Sequence, residues 1–309
     1  MRVAVVGAGG VGGYFGGKLA AAGVDTTFLV RGRTLEAIRE RGLLVESVSG
    51  DFALPQARAT DDPGEIGPVD AVLLTVKAWQ VEEVLPSLRP LLHESTVVVP
   101  LENGIEAAEQ VSRVLGARHA VGGLCVIISF IVGPGHVRQS SGGGEPAVTF
   151  GELDDRRSER LEQLRDAFTK AGVKADIPAD IQRAIWQKFV FIAPLSAIGA
   201  VTRAPTGDWR EVAQTRALAV QAIHEVVAVA RAKGIALPGD SVEKTLGRYD
   251  GLPHGSTSSM QRDVMDGRPS ELEAQVGAVV RLGTEHGIAT PAFDFLYAAL
   301  LPQERIARR

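Results

Sequence analysis

Residues 2–23 read RVAVVGAGGVGGYFGGKLAAAG. The β-rich run Arg2–Val6 stops at a cluster of glycines. A helix of small residues follows, roughly Gly12 to Ala22, and Gly23 is placed to end it. Within the turn, Gly7-Ala8-Gly9-Gly10-Val11-Gly12 matches G-x-G-x-x-G. In a chain with 35 glycines that pattern arises by chance, and a tight turn without a ligand is the plain alternative. Here the pattern follows a strand and opens a helix, which is the context that dinucleotide binding requires. Gly7 permits the tight turn, Gly9 lets the backbone approach a pyrophosphate, and Gly12 lets helix and strand pack closely. The helix N-terminus adds unpaired N–H groups and partial positive charge.

Outward from this turn, further apolar strands alternate with helix-length segments: Thr26–Val30, Val69–Val76, Gln80–Leu92 as a helix, Thr96–Pro100, a helix from Gly104 to Leu115, and Ala120–Ile128. That alternation predicts a parallel sheet covered on both faces. Gly135–Gln139 and Ala147–Phe150 flank SSGGGEP and predict a hairpin with a mobile tip; Arg156–Ala171 predicts a charged amphipathic helix with a solvated face. From about Pro178 only long helical patterns follow: Ile181–Val201, Thr215–Lys233 and Ser270–His286. The expected architecture is α/β, a Rossmann-type parallel-sheet domain over residues 1–175 followed by an all-helical domain over 176–309.

The composition agrees. A length of 309 residues suits two domains, and 45% hydrophobic with 23% charged residues excludes disorder. The longest near-continuous apolar run, Leu124–Val132, falls well short of the roughly 20 residues of a spanning helix. The N-terminal apolar run is too short for a signal-peptide core, so no membrane and a cytoplasmic location are expected. One cysteine, Cys125, excludes an internal disulfide framework and a cysteine-rich zinc site, and it reads as inert packing. A net charge of −4 without a basic block argues against nucleic acid as the main partner. No His/Asp/Glu cluster has metal spacing, so no metal is expected. Exposed helical faces in the second domain could pair two subunits as a homodimer.

Two features carry chemistry. Where NAD enzymes place an acid at the end of the second strand, this chain has FLVRGR, with Arg31 and Arg33 and no acid between Asp25 and Glu36. This favours NADPH, an arginine meeting the 2′-phosphate; two ordinary surface arginines are the alternative. In IQRAIWQKFVFIAPLSAIGAVTR no charge occurs between Lys188 and Arg203. On a helix Ile181, Ile185, Lys188 and Ile192 share one face, so the lysine must snorkel, pair with an acid or accept a lowered pKa. Pro194 predicts a kink or stop one turn later.

The glycine turn, Arg31, TVKAWQ around Lys77, ENG at Asn103, Lys188 in WQKF and SSM…SELE late in the chain occur in the order of one family. Over nearly its whole length the chain resembles the ketopantoate reductase (2-dehydropantoate 2-reductase) family. The resemblance implies a Rossmann domain joined to a helical domain with the active site between them, and NADPH-dependent reduction of a branched 2-keto acid in pantothenate biosynthesis. It implies that Lys188 is the catalytic proton donor and that Asn103 places substrate and nicotinamide. It implies that Lys77 approaches cofactor and substrate, and that Ser259 and Glu271 contact substrate. Each has a plainer reading: Asn-Gly is a turn dipeptide, Lys77 precedes a helix, and Glu271 complements a helix dipole. Ser270 with Glu273 is expected to form a capping box, leaving Glu273 structural. Characterised members carry an asparagine four residues after the lysine, where this chain has Ile192, so a more apolar 2-keto acid stays open as the substrate. A related hydroxy-acid dehydrogenase and a non-catalytic NADPH sensor remain the other readings.

Overall fold

The computed structural model describes residues 1–140 and 144–309. Its first unit comprises residues 1–102 and 106–181; its second comprises residues 103–105 and 182–309. The first unit runs β1 (Arg2–Val6), α1 (Gly10–Ala21), β2 (Asp25–Leu29), α2 (Gly32–Arg41), β3 (Leu43–Ser47), β4 (Phe52–Leu54), β5 (Arg58–Thr60), α3 (Pro63–Ile66), β6 (Ala71–Leu74), α4 (Val81–Val84), β7 (Val97–Pro100), α5 (Ala107–Leu115), β8 (Val121–Val126), β9 (Ser129–Gly133), β10 (His136–Gln139), β11 (Ala147–Glu152), α6 (Glu159–Lys170) and β12 (Lys174–Asp176).

Five parallel strands in the order β5-β2-β1-β6-β7 form the central sheet. The unbroken apolar runs of β1 (from Val3), β6 and β7 follow from burial on both faces. Val3, Val5, Leu73, Val97 and Val99 feed one core, whereas Ala4, Val6, Val72, Leu74 and Val98 feed another. The alternation of side chains across each strand thus divides its residues between two hydrophobic layers. Two smaller sheets, β4-β3-β10-β9 and β12-β11-β8, complete the unit. Glycines let α1 lie tightly against them. A Cβ on Gly13 would meet Val137 at 2.9 Å, and one on Gly17 would meet Phe52 at 3.1 Å. The Cys125 thiol is buried and donates to the Leu101 carbonyl at 3.2 Å.

Several expectations change. β10 and β11 do not form a hairpin. β10 forms its hairpin with the preceding strand β9 instead and pairs with the distant β3 on its other side, whereas β11 pairs with β8 and β12. Of the expected tip, SSGGGEP at 140–146, residues 141–143 lie outside the described residues. The helix expected over 80–92 breaks into a short α4 flanked by 3₁₀ turns over Ala78–Gln80 and Leu85–Leu91; Pro86 and Pro90 withhold the N–H groups that a longer α-helix would use. The break expected at 175 falls after Ile181, since β12 still pairs with β11.

The second unit is helical: α7 (Ile181–Thr202, whose first residue closes the first unit), α8 (Thr206–Glu211), α9 (Ala213–Ala232), α10 (Ser241–Asp250), α11 (Ser259–Met265), a π-helical turn over Glu273–Gly277, α12 (Ala278–His286) and α13 (Pro291–Ala307). Pro194 neither ends nor interrupts α7, which continues to Thr202. The residues around it, Ala193, Leu195, Ala197 and Ile198, are buried, and that packing outweighs the roughly 3 kcal/mol a proline costs inside a helix. By length and composition α7 could cross a membrane, with a mean hydropathy of 1.5 over 18 residues, yet 67% of that window is buried within the protein. Trp186, Phe189, Val190 and Ile198 make it the central helix of the second unit's core. Glu225 of α9, 6% exposed, accepts the Ala292 and Phe293 amides at 2.9 and 3.0 Å and so caps the start of α13.

Candidate active site

In the first unit, the glycine turn joins β1 to α1. Gly7 takes a φ of +94°, a left-handed conformation that an L side chain resists. A Cβ on Gly12 would meet the Gly7 carbonyl oxygen at 2.0 Å and the Thr75 hydroxyl at 2.3 Å, so only glycine allows α1 to start this close to the sheet. Thr75, at the end of β6, donates to the carbonyls of Val6 and Gly7 at 2.8 Å each and braces the turn from below. Gly9 differs: its Cβ position faces nothing nearer than the Ile131 side chain at 3.7 Å. The start of α1 carries no side-chain cap and no acid in its first turn. A backbone with room at Gly9 and uncapped N–H groups at a helix start fits a dinucleotide pyrophosphate. Ala8, Gly10 and Val11 form the remainder of this turn, with Gly10 held close to Ser129 of β9.

Arg31 follows β2 and stands at the N-cap position of α2 without a capping side-chain hydrogen bond; its side chain is exposed and approaches Glu83 at 3.8 Å. A surface pair of this kind contributes little, so the guanidinium is available to a phosphate at low cost. Arg33, in the first turn of α2, is also exposed. Lys77 lies just beyond β6, at the carboxyl end of the parallel sheet, where open α/β sheets place ligands. Its ammonium sits 5.8 Å from the centre of the Trp79 ring.

In the second unit, α7 carries Lys188, partly buried, on the face shared with buried Ile185 and partly buried Ile192. Among the described residues it forms no hydrogen bond or ion pair. One further turn along the same face, the buried Ser196 hydroxyl has no partner. Asn103 and Glu271, 168 residues apart in sequence, meet here: the Asn103 amide donates to Glu271 Oε2 at 3.2 Å. The adjacent Gly104 has a φ of +139° and its Cβ position lies 3.4 Å from Ala274, so glycine suits the turn that delivers Asn103. Glu271 is 4% exposed. Ser259 is the first residue of α11 and partly buried, after Ser258, whose hydroxyl caps the helix by accepting the Gln261 amide.

The expected capping box of Ser270 with Glu273 does not form. Glu304, from α13, accepts the Ser270 amide at 3.0 and 3.1 Å and its hydroxyl at 2.6 Å, and is itself paired with Arg308. Glu273 turns away to Arg281 at 3.1 Å and to the Tyr297 hydroxyl. A carboxylate from a distant helix thus accepts the Ser270 hydroxyl hydrogen bond, while the Ser270 oxygen accepts the Leu272 amide at 3.3 Å rather than that of Glu273. Burial, with Glu273 accepting its hydrogen bond, holds the Tyr297 phenol up at about 12.

The sequence reading missed Thr75, Glu304 and Gln275. Gln275 is fully buried and donates to Glu271 Oε2 at 3.2 Å. Its only sequence signal is the i, i+4 spacing from Glu271. Thr75 and Glu304 act across distances that no local pattern records.

The family described as ketopantoate reductase PanE/ApbA matches residues 3–155, and its C-terminal counterpart matches residues 180–304. A 2-dehydropantoate 2-reductase of a Nostoc species is 32% identical over 97% of this chain and 94% of its own length. The crystal structure of a 2-dehydropantoate 2-reductase from Geobacter metallireducens is 33% identical, covers 98% of this chain and 99% of that one, and superposes with a TM-score of 0.91. A D-mandelate dehydrogenase solved with NADH and anilino(oxo)acetate covers 100% and 99% of the two chains at a TM-score of 0.90. At 22% identity it shares the fold alone.

Proposed function

The chain belongs to the ketopantoate reductase family and is an oxidoreductase, and on that premise we propose that it reduces 2-dehydropantoate to pantoate with NADPH. The first unit is the cofactor domain and the helical unit supplies the catalytic groups. The observation that supports this most directly is the Asn103–Glu271 hydrogen bond, which joins two residues the family resemblance assigns to substrate.

When bound, the reduced nicotinamide supplies hydride to the carbonyl carbon. Negative charge then develops on the carbonyl oxygen. The Lys188 ammonium stabilises that charge and gives up a proton to it, leaving the hydroxy acid and a neutral lysine that solvent reprotonates. Asn103 orients the acceptor. Lys77 and Ser259 offer an ammonium and a hydroxyl to the substrate carboxylate, and Glu271 accepts a hydrogen bond from a substrate hydroxyl. The glycine turn, residues 7–12, holds the pyrophosphate, and Arg31 takes the 2′-phosphate. The enzyme works in the cytoplasm as a biosynthetic reductase.

A second reading keeps the chemistry and changes the acid. Ile192 lies one turn beyond Lys188 on the same face and offers no hydrogen bond, which suits a 2-keto acid with a more apolar side chain. Following NADPH oxidation with 2-dehydropantoate beside straight-chain, branched and aryl 2-keto acids separates the two. Highest kcat/KM with 2-dehydropantoate supports the first; preference for an apolar acid replaces it with the second; no turnover with any acid defeats both. Arg31→Ala is expected to raise KM for NADPH by about 10–100-fold, the scale of a lost charged hydrogen bond, with little change for NADH. Equal effects on both cofactors would remove Arg31 from the 2′-phosphate.

A further inference from the structure

Gln275 sits in the middle of the π-helical turn, at 0% exposure, with its side-chain nitrogen 3.2 Å from Glu271 Oε2. The same oxygen accepts the Asn103 amide, so two neutral donors from separate segments converge on one carboxylate oxygen. The other end of the Gln275 side chain has no compensation: Oε1 is buried and without a hydrogen-bond partner. A buried acceptor left unpaired costs stability, and an apolar residue of the same shape would avoid that cost. π-helical turns are themselves uncommon and recur at functional sites. Burial of an amide at a net loss, in order to deliver one N–H to one carboxylate, is the pattern of a group retained for orientation.

We propose that Gln275 is a positioning residue that fixes the Glu271 carboxylate for substrate, acting together with Asn103 and without touching substrate itself. This rests on the reading of Glu271 as a substrate-contacting group. Each of the two amides restrains Oε2 along a different direction, which defines the carboxylate plane more tightly than either bond alone. Loss of the Gln275 amide removes one of these two restraints on Oε2, and the hydrogen bond the carboxylate offers the substrate loses alignment.

Near-isosteric Gln275→Met separates positioning from packing. The expected result is a melting temperature equal to or above that of the parent protein, unchanged NADPH affinity, and kcat/KM for the best 2-keto acid lowered about tenfold or more, the scale of one hydrogen bond to a charged group. In a Glu271→Ala background the same substitution is expected to have no further effect, because its route to the substrate is gone. A fall in melting temperature with an equal loss in both backgrounds would make Gln275 a packing residue and overturn the proposal. Unchanged kcat/KM in the parent background would overturn it as well. Gln275→Leu, which removes the amide with a different shape, serves the same comparison if the methionine variant does not fold. Parent-level kcat/KM in Glu271→Ala alone would instead defeat the reading of Glu271 on which the proposal stands.

Discussion

Lys188→Ala is expected to lower kcat by about 10²–10⁴-fold with the preferred 2-keto acid, the usual contribution of a positioned proton donor. NADPH affinity, measured by quenching of protein fluorescence, should stay at the parent value, because the glycine turn and Arg31 lie in the other unit. The face of α7 explains why no neighbour should take over. Ile185 and Ile192 flank the lysine on its own face, and neither can supply or relay a proton. Lys188→Arg is the sharper companion: it keeps the positive charge and loses proton donation at neutral pH, since a guanidinium holds its proton there. Recovery of rate in the arginine variant would mean that charge alone suffices. Parent-level turnover in Lys188→Ala would remove the lysine from catalysis altogether.

Glu225→Ala should strongly destabilise the helical unit. The carboxylate is buried, accepts two amides at the start of α13 and also receives the Gln221 side chain at 3.1 Å. Truncation leaves those backbone donors without a partner at about 1–3 kcal/mol each and removes a negative charge from a helix N-terminus. A total of about 3 kcal/mol corresponds to a fall of roughly 10 °C in the melting midpoint for a unit of this size. Glu225→Gln keeps the shape and one acceptor oxygen and should lose about half as much. A melt by circular dichroism at fixed protein concentration reads both; a midpoint unchanged in the alanine variant would show that solvent replaces the cap.

The parts of this protein that local chemistry specifies could be read in advance. Strand, glycine turn and helix over residues 2–23 need only neighbouring residues, and the long apolar helix carrying Lys188 announces itself by the absence of charge up to Arg203. What failed was pairing at a distance. β10 and β11 look like a hairpin because they are adjacent, yet β10 pairs with β9 before it and with distant β3, and β11 with β8 and β12. The short strands β3, β4 and β5 were not recognised, their alternation being too brief to stand out from a loop. Ser270 has a local cap in reach and is claimed by Glu304, 34 residues away. Pro194 carries a genuine stop signal, which burial overrides. Asn103 and Glu271 could be named from the family resemblance, but their meeting, and the amide of Gln275 beside them, emerge only when the helical unit is folded.

Residues 103–105 group with the helical unit although the chain on either side belongs to the sheet unit, and Ile105 packs against the helical core. The polypeptide therefore passes between the units three times, after Glu102, after Ile105 and after Ile181. A gene split after residue 181 would not yield two independent modules. The N-terminal product would carry Ile105 away from the core that buries it, and the C-terminal product would keep Glu271 without Asn103. Exchange of helical halves between related reductases must therefore move this three-residue loop together with the C-terminal segment, or else lose one of the two amides that hold the carboxylate.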